Sequence, residues 1–234
     1  MKLGKIVEWL DDELETSKFD DVSNNGVQIA RSGDDIAGVA FGVDASAAFV
    51  MKAAESGAQL CVVHHGISWG GGIRRIVGSE YEVVRAAVSR DVALYAVHLP
   101  LDASRRHGNN WELARHLALR SVRPAFSYHG NVIGVVGTAA RTGVFKIGET
   151  ELALRRGEQV GVCSGGAGEF AVEAKTLGCD VYVTGEASWG DVVAAENVGM
   201  RMVCAGHFET ETFGIRALAR AFASKFRSAP VLVS

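Results

Sequence analysis

The chain has 234 residues, enough to bury one large α/β core or two smaller ones. Its formal charge of −3 and sequence pI of about 6.2 give none of the basic excess that marks a nucleic-acid surface, and an apolar share of 48% excludes a disordered chain. No run approaches the ~18 apolar residues of a membrane span, and Met1 to Asp12 is an amphipathic pattern with charges inside it rather than a secretory signal. Cys61, Cys163, Cys179 and Cys204 are isolated and show no CxxC spacing. They read as buried small hydrophobes of a reducing compartment, not as thiolate zinc ligands. These features predict a soluble cytoplasmic protein.

Taken in order, Lys2 to Glu15 carries Leu3, Ile6, Val7, Leu10 and Leu14 on one helical stripe. Ser23-Asn24-Asn25-Gly26 is a turn signal before a short strand, Val27 to Ala30. Ile36 to Val43 predicts a second strand, and Asp44 is placed to cap a helix from about Ala45 to Ser56, which Gly57 ends. The run Leu60 to Val63 reads as a buried strand of a parallel sheet, and it stops at His64-His65-Gly66-Ile67-Ser68-Trp69-Gly70-Gly71-Gly72. A helix over Glu80 to Arg90 and a strand over Val92 to Val97 follow, ending at His98-Leu99-Pro100-Leu101-Asp102. Asn109 to Leu119 reads as a further helix. Alternating strand and helix predicts an α/β fold with right-handed crossovers.

The middle of the chain differs. Asn131 to Ala139 is a glycine-containing strand, and Val144 to Leu154 alternates like a hairpin. The domain junction is expected between residues 120 and 145, with a first α/β domain over 1–125 and a second over 126–234. Beyond it, Val160 to Cys163 leads into Ser164-Gly165-Gly166-Ala167-Gly168 and a helix over Glu169 to Leu177. Asp180 to Thr184 is a strand ending at Gly185-Glu186, Asp191 to Val198 a helix, and Arg201 to Ala205 a strand ending at Gly206-His207. Glu209 to Arg227 forms the last long helix.

The second half echoes the first. Ile67-Ser68-Trp69-Gly70 after the two histidines rhymes with Ala187-Ser188-Trp189-Gly190 after Glu186, and each is followed by a helix and a strand ending at a polar cluster. A diverged duplication of one βαβ module, with the two copies facing each other, accounts for this. Ligands of open α/β sheets bind beyond the carboxyl ends of strands. His64, His65, His98, Asp102, Glu186, His207 and Glu211 all stand at such ends. Adjacent imidazoles are costly to pack unless something shares their lone pairs, and His207 and Glu211 are spaced to share a helix face. One catalytic zinc site takes about three protein ligands, so this set suggests two divalent ions, of zinc, manganese, iron or cobalt. On the residues alone, His98 reads as a partner behind the ligands or a packed core histidine, Asp102 also fits a turn cap, and Glu211 also fits an ordinary first-turn charge. Ser164 to Gly168 fits either a phosphate-receiving loop or a tight packing turn; it lacks the Lys-Ser/Thr of a P-loop.

Val62-Val63-His64-His65-Gly66, His98-Leu99-Pro100-Leu101-Asp102, Ser164-Gly165-Gly166-Ala167-Gly168, Thr184-Gly185-Glu186 and Gly206-His207-Phe208-Glu209-Thr210-Glu211 together resemble the NIF-three-like family, whose members are called GTP cyclohydrolase 1 type 2 homologues. Asn24-Asn25-Gly26-Val27-Gln28 resembles its amino-terminal motif. The resemblance covers nearly the whole chain. It implies two α/β domains facing a shared metal cleft, a dinuclear centre, and a toroidal hexamer built as a trimer of dimers. The family's five ligands fall on His64, His65, Asp102, His207 and Glu211, with His98 and Glu186 lining the site as catalytic candidates. The family also implies a helix where residues 141–158 alternate like a hairpin. The function expected is hydrolysis of a small molecule by metal-activated water, with His98 or Glu186 moving the proton. The competing reading is a non-enzymatic metal-binding scaffold or regulator. A ring of subunits binding single-stranded nucleic acid through Arg74, Arg75, Arg105 and Arg106 would be one version.

Overall fold

The computed structural model describes all residues from Met1 to Ser234. Contacts divide the chain into two compact units, Met1–Leu101 with Ile215–Ser234, and Asp102–Gly214. These bounds differ from the expected break at residue 125. Asp102 falls in the second unit, and the end of the chain returns to the first.

In the first unit the opening stripe forms α1 (Leu3–Leu14), burying Ile6, Leu10 and Leu14. Then come β1 (Gly26–Ile29), β2 (Val39–Asp44), α2 (Ala47–Glu55), β3 (Leu60–His65), α3 (Gly78–Ser89) and β4 (Ala93–Ala96). A two-residue strand that the sequence reading did not anticipate, β12 (Leu232–Val233), completes a sheet of order β1-β4-β3-β2-β12. Strands β2, β3 and β4 are parallel, and β1 is antiparallel to β4. β3 therefore lies in the middle of a parallel sheet, as its unbroken apolar run requires. Its pleat sends Leu60 and Val62 into a core with Ile6, Leu10, Phe41, Tyr95 and Phe222, while Cys61 and Val63 join Val50, Ala53, Val83 and Leu94 on the other face. The cap of α2 corrects the sequence expectation. Ser46, not Asp44, accepts the Phe49 amide at 3.1 Å, because Asp44 still belongs to β2 and pairs with His65.

The second unit begins in the short α4 (Leu99–Ala103) and continues through α5 (Asn109–His116), β5 (Leu119–Tyr128), β6 (Asn131–Ala139), β7 (Gly143–Ile147), β8 (Thr150–Leu154) and β9 (Gln159–Cys163). After a 3₁₀ turn at Gly168–Phe170 come α6 (Ala171–Thr176), β10 (Val181–Thr184), α7 (Trp189–Asn197), β11 (Arg201–Cys204) and the start of α8 (His207–Phe226). The sheet order is β11-β10-β9-β6-β5, with β9, β10 and β11 parallel and β6 and β5 antiparallel. β7 and β8 form the hairpin that the alternation of 143–154 predicts, in place of the helix the family resemblance implied. β5 escapes the sequence pattern for a physical reason. It is an edge strand with a register irregularity between Arg120 and Arg123, positive φ at Ser121 and Phe126, and Pro124 in its middle. Edge position and bulge tolerate a proline and remove the strict alternation.

The two units repeat one plan. β2-β3-β4 in the first and β9-β10-β11 in the second are each three parallel strands joined by two helices, so the sequence rhyme is also a topological one. No helix is long and apolar enough to cross a membrane.

Phe222 is fully buried and its ring lies 5.5 Å from Phe41 and 4.9 Å from Phe226. Phe222→Ala is expected to cost about 3–5 kcal/mol in denaturant unfolding. Val88→Ala, on an exposed side chain, should stay within about 0.5 kcal/mol. Equal costs would contradict this packing.

Candidate metal centre

In the first unit the site is built on the ends of β3 and β4. Because neighbouring residues of a strand face opposite sides, His64 continues the face of Val62 and is fully buried, while His65 continues the face of Val63 and is partly exposed. His98 stands just before α4. One ring nitrogen from each of His64, His65 and His98 lies within 4.8 Å of the others, and the ring centroids of His64 are 4.6 Å from His65 and 5.1 Å from His98.

Each ring is held from behind. His64 Nδ1 donates to the Val97 carbonyl at 3.0 Å, His65 Nδ1 to Asp44 Oδ1 at 2.9 Å, and His98 Nδ1 to Asp21 Oδ1 at 2.8 Å. The parallel register that pairs Asp44 with His65 is what brings the first carboxylate there. Asp21 is tied more widely: Oδ2 accepts the Leu99 amide and Asn25 Nδ2, and Oδ1 accepts the Ser23 amide. Burial pushes its pKa up, but the hydrogen bond and charge of His98, with the bonds from Ser23 and Asn25, outweigh this and hold the carboxyl below its ordinary value of 3.8. Asn25 Oδ1 accepts the His98 amide, and Gln28 Oε1 accepts the amides of Ile67 and Ser68 at 2.7 and 3.1 Å. The amino-terminal motif thus props both histidine loops.

In the second unit Gly206 (φ +94°) turns the chain after β11, so that α8 begins at His207 itself. His207 and Glu211 are then one turn apart, with Nε2 and Oε1 3.2 Å from each other. His207 Nδ1 donates to Glu186 Oε1 at 3.0 Å, beyond the end of β10. Asp102 and Glu211 are both buried, at 6% and 3% exposure, with carboxylate oxygens within 4.8 Å. Asp102 Oδ1 accepts from Asn109 Nδ2 at 2.9 Å and Ser164 Oγ at 3.1 Å, and Asn109 is itself fixed by the Gly214 amide.

Ser164 to Gly168 proves to be a packing turn. The amides of Ser164, Gly165 and Ala167 are bonded to Asn110, Thr210 and Thr184, which leaves them no role in receiving a phosphate. A Cβ on Gly165 (φ +68°) would lie 2.4 Å from Glu211 Oε1 and 3.3 Å from His207 Nε2. Glycine is what lets the loop close on that pair.

The structure therefore brings His64, His65 and His98 together in the first unit, and Asp102, Glu186, His207 and Glu211 to one end of the second. These are His/Asp/Glu groups that can bind a metal, and the donor chemistry fits one. In His207 the Nδ1 proton goes to Glu186, so Nε2 can face the Glu211 carboxylate only with a positive charge between them, from a proton or a cation. The buried Asp102 and Glu211 carboxylates make the same demand. Asp21 and Asn109 carry no signal of their own in the sequence, which marks Asp44 as a helix cap and Ser164 as part of a glycine-rich loop rather than as supports of the site. Each is found only through the ring or carboxylate it holds.

For Asp21 the sign of the pH effect follows from its lowered pKa. The stability it contributes is present above 3.8 and is lost as pH falls through its lower folded value. The gap in stability between the wild type and Asp21→Asn, measured by denaturant unfolding without metal, is expected to be widest near about pH 6 and to shrink below about pH 4. A gap that did not change with pH would contradict the assignment.

The chain matches the family Duf34/NIF3 (NGG1p interacting factor 3) over residues 1–234. It is 40% identical to a GTP cyclohydrolase 1 type 2 homolog of Deinococcus radiodurans, over 95% of this chain and 89% of that protein. It is 35% identical to one of Pyrococcus horikoshii, over 97% of this chain and 95% of that one. The solved structure of protein ybgI, described as of unknown function, superposes with a TM-score of 0.85 at 26% identity, covering 100% of this chain and 98% of that one. Sequence and fold agree, and the chain belongs to the Duf34/NIF3 family.

Proposed function

We propose that the protein holds two divalent ions on His64, His65, Asp102, His207 and Glu211 and acts as a metal-dependent hydrolase. One observation carries the reading. His64, His65, His98 and His207 each give the Nδ1 proton to an oxygen behind the ring. A neutral imidazole fixed in this way has its lone pair on Nε2, which is how histidine binds metal, and the oxygen behind it strengthens that donor. The five donors exceed the three of a single open site, which supports two ions. Mixed imidazole and carboxylate donors suit zinc, iron, manganese or cobalt. When bound, such ions bring the pKa of coordinated water toward ~7 and polarise the bond to be cleaved.

The chain's own residues have separate tasks around that chemistry. Asp44, the Val97 carbonyl and Glu186 aim His65, His64 and His207. Asn109 and Ser164 aim Asp102. His98, backed by an Asp21 side chain that is only 2% exposed, is the proton carrier: a proton taken up at its Nε2 is stabilised by that carboxylate. Glu186, the other candidate for this step, serves instead to hold His207. The substrate is a small molecule opened by water. The names of the relatives favour a ring of the cyclohydrolase kind over an ester or amide.

Elemental analysis of reconstituted protein is expected to give about two ions per chain. Asp102→Ala should lose more metal than His98→Ala, and Glu211→Gln should bind less than two ions while still folding. One ion or none in the wild type would overturn the reading. Two ions with no turnover on a panel of nucleotides, esters and amides, His64→Ala serving as control, would favour the metal-binding scaffold.

The partner proposed is the chain itself, as a hexamer built as a trimer of dimers. Trp189, 78% exposed, is a large ring that a subunit contact would cover. Nucleic acid is the weaker choice, since Arg105 is already stacked 5.0 Å over Trp111. Light scattering is expected to give six times 24.8 kDa. A value of 24.8 kDa across micromolar concentrations would refute the oligomer.

A further inference from the structure

Within the first unit a cavity of about 340 Å³ opens beside the histidine cluster, lined by Trp69, Ile73, Arg74, Arg75, Val77 and Glu80 among others. Trp69 joins the two features. Its ring centroid is 5.2 Å from His98 and 6.1 Å from His65, and the residue is 39% exposed. The ring is fixed: Nε1 donates to the Gly66 carbonyl at 3.1 Å, and the following amide, Gly70, donates to Val22 at 2.7 Å. A fixed, half-open indole beside a cavity offers a stacking face.

The charged part of the wall is net cationic. Arg74 and Arg75 outnumber Glu80, and α3 starts at the cavity, with Val77 as its N-cap and no side chain bonded to its first amides. Two guanidiniums and an uncapped helix start favour a doubly charged oxyanion over a single carboxylate. The volume falls within the range of small-molecule sites, and the wall, part aromatic and part cationic, divides as a ligand with a ring and a charged group would.

We infer that this cavity is the subsite for a phosphorylated aromatic or heteroaromatic ring, with the ring on Trp69 and the phosphate on Arg74 and Arg75. The inference rests on the hydrolase reading in that it names the class of substrate presented to the histidines.

The test is calorimetric binding of 1-naphthyl phosphate to the full chain, with and without metal. Binding is expected in both forms, with 1-naphthol and inorganic phosphate each at least about tenfold weaker. Arg74→Gln/Arg75→Gln should weaken 1-naphthyl phosphate at least about tenfold with unchanged metal content, and Trp69→Leu should remove its advantage over inorganic phosphate. No binding by the wild type, or unaltered binding by the double variant, would overturn the subsite. A change in oligomer mass of the double variant with ligand binding intact would make this face a contact between copies, and would also overturn it. Because the metal-free form is measured, the two readings part cleanly: ligand binding by a protein that takes up fewer than two ions on reconstitution defeats the hydrolase alone, and uptake of two ions without ligand binding in either form defeats the subsite alone.

Discussion

The fixing of imidazole tautomers by oxygens placed behind them is the constraint on which the rest of this structure depends. A free histidine can present either nitrogen and either protonation state. Here four of them have lost that choice, to Asp44, Asp21, Glu186 and the Val97 carbonyl. Three of the four supporting oxygens sit in backbone positions that the sheets dictate, and Asp21 stands in the loop before β1. Asp44 is the register partner of His65, Val97 follows β4, and Glu186 follows β10. The same carboxylates would be poor residues to bury without a donor, and the rings would be poor residues to cluster without one. The rings and the oxygens behind them therefore stabilise each other.

Why strand ends serve this purpose follows from the repeated plan. In a parallel sheet covered on both faces, side chains along the strand are committed to the core, and the first positions with freedom are those beyond the carboxyl end. β3 shows the switch over a few residues: Leu60 to Val63 are fully buried hydrocarbon or thiol, and the next two residues are imidazoles. β10 makes the same change at Gly185-Glu186, and β11 at Gly206-His207. One βαβ plan, present in both units, supplies a set of polar residues in each without disturbing either core.

Most of this was legible in the sequence wherever a residue carries its own signal. β3 could be read because a short unbroken apolar run ending in two histidines fits the end of a buried parallel strand. The His207–Glu211 pair could be read because a four-residue spacing has one meaning on a helix. The hairpin at 143–154 could be read from alternation, against the family expectation. What stayed hidden had its cause in tertiary pairing. β5 lacks a pattern because an edge strand with a bulge needs none. Asp44 looked like a helix cap because its true partner is 21 residues away. The contact division differs from the expected break in placing Asp102 with Asn109 and Ser164, to which it is bonded, contacts that sequence order does not announce. The glycines of 164–168 were ambiguous for a like reason, since whether they cradle a phosphate or admit a neighbour depends on where Glu211 lies.

Neutron diffraction from perdeuterated crystals of the metal-free protein tests this account at its root, because it locates the exchangeable proton on each ring. The account predicts deuterium on Nδ1 of His64, His65, His98 and His207, directed at the oxygen behind each ring. Deuterium on Nε2 alone at His64, His65 or His207 would contradict it, since a ring in that tautomer presents a proton where the proposed ion requires a lone pair.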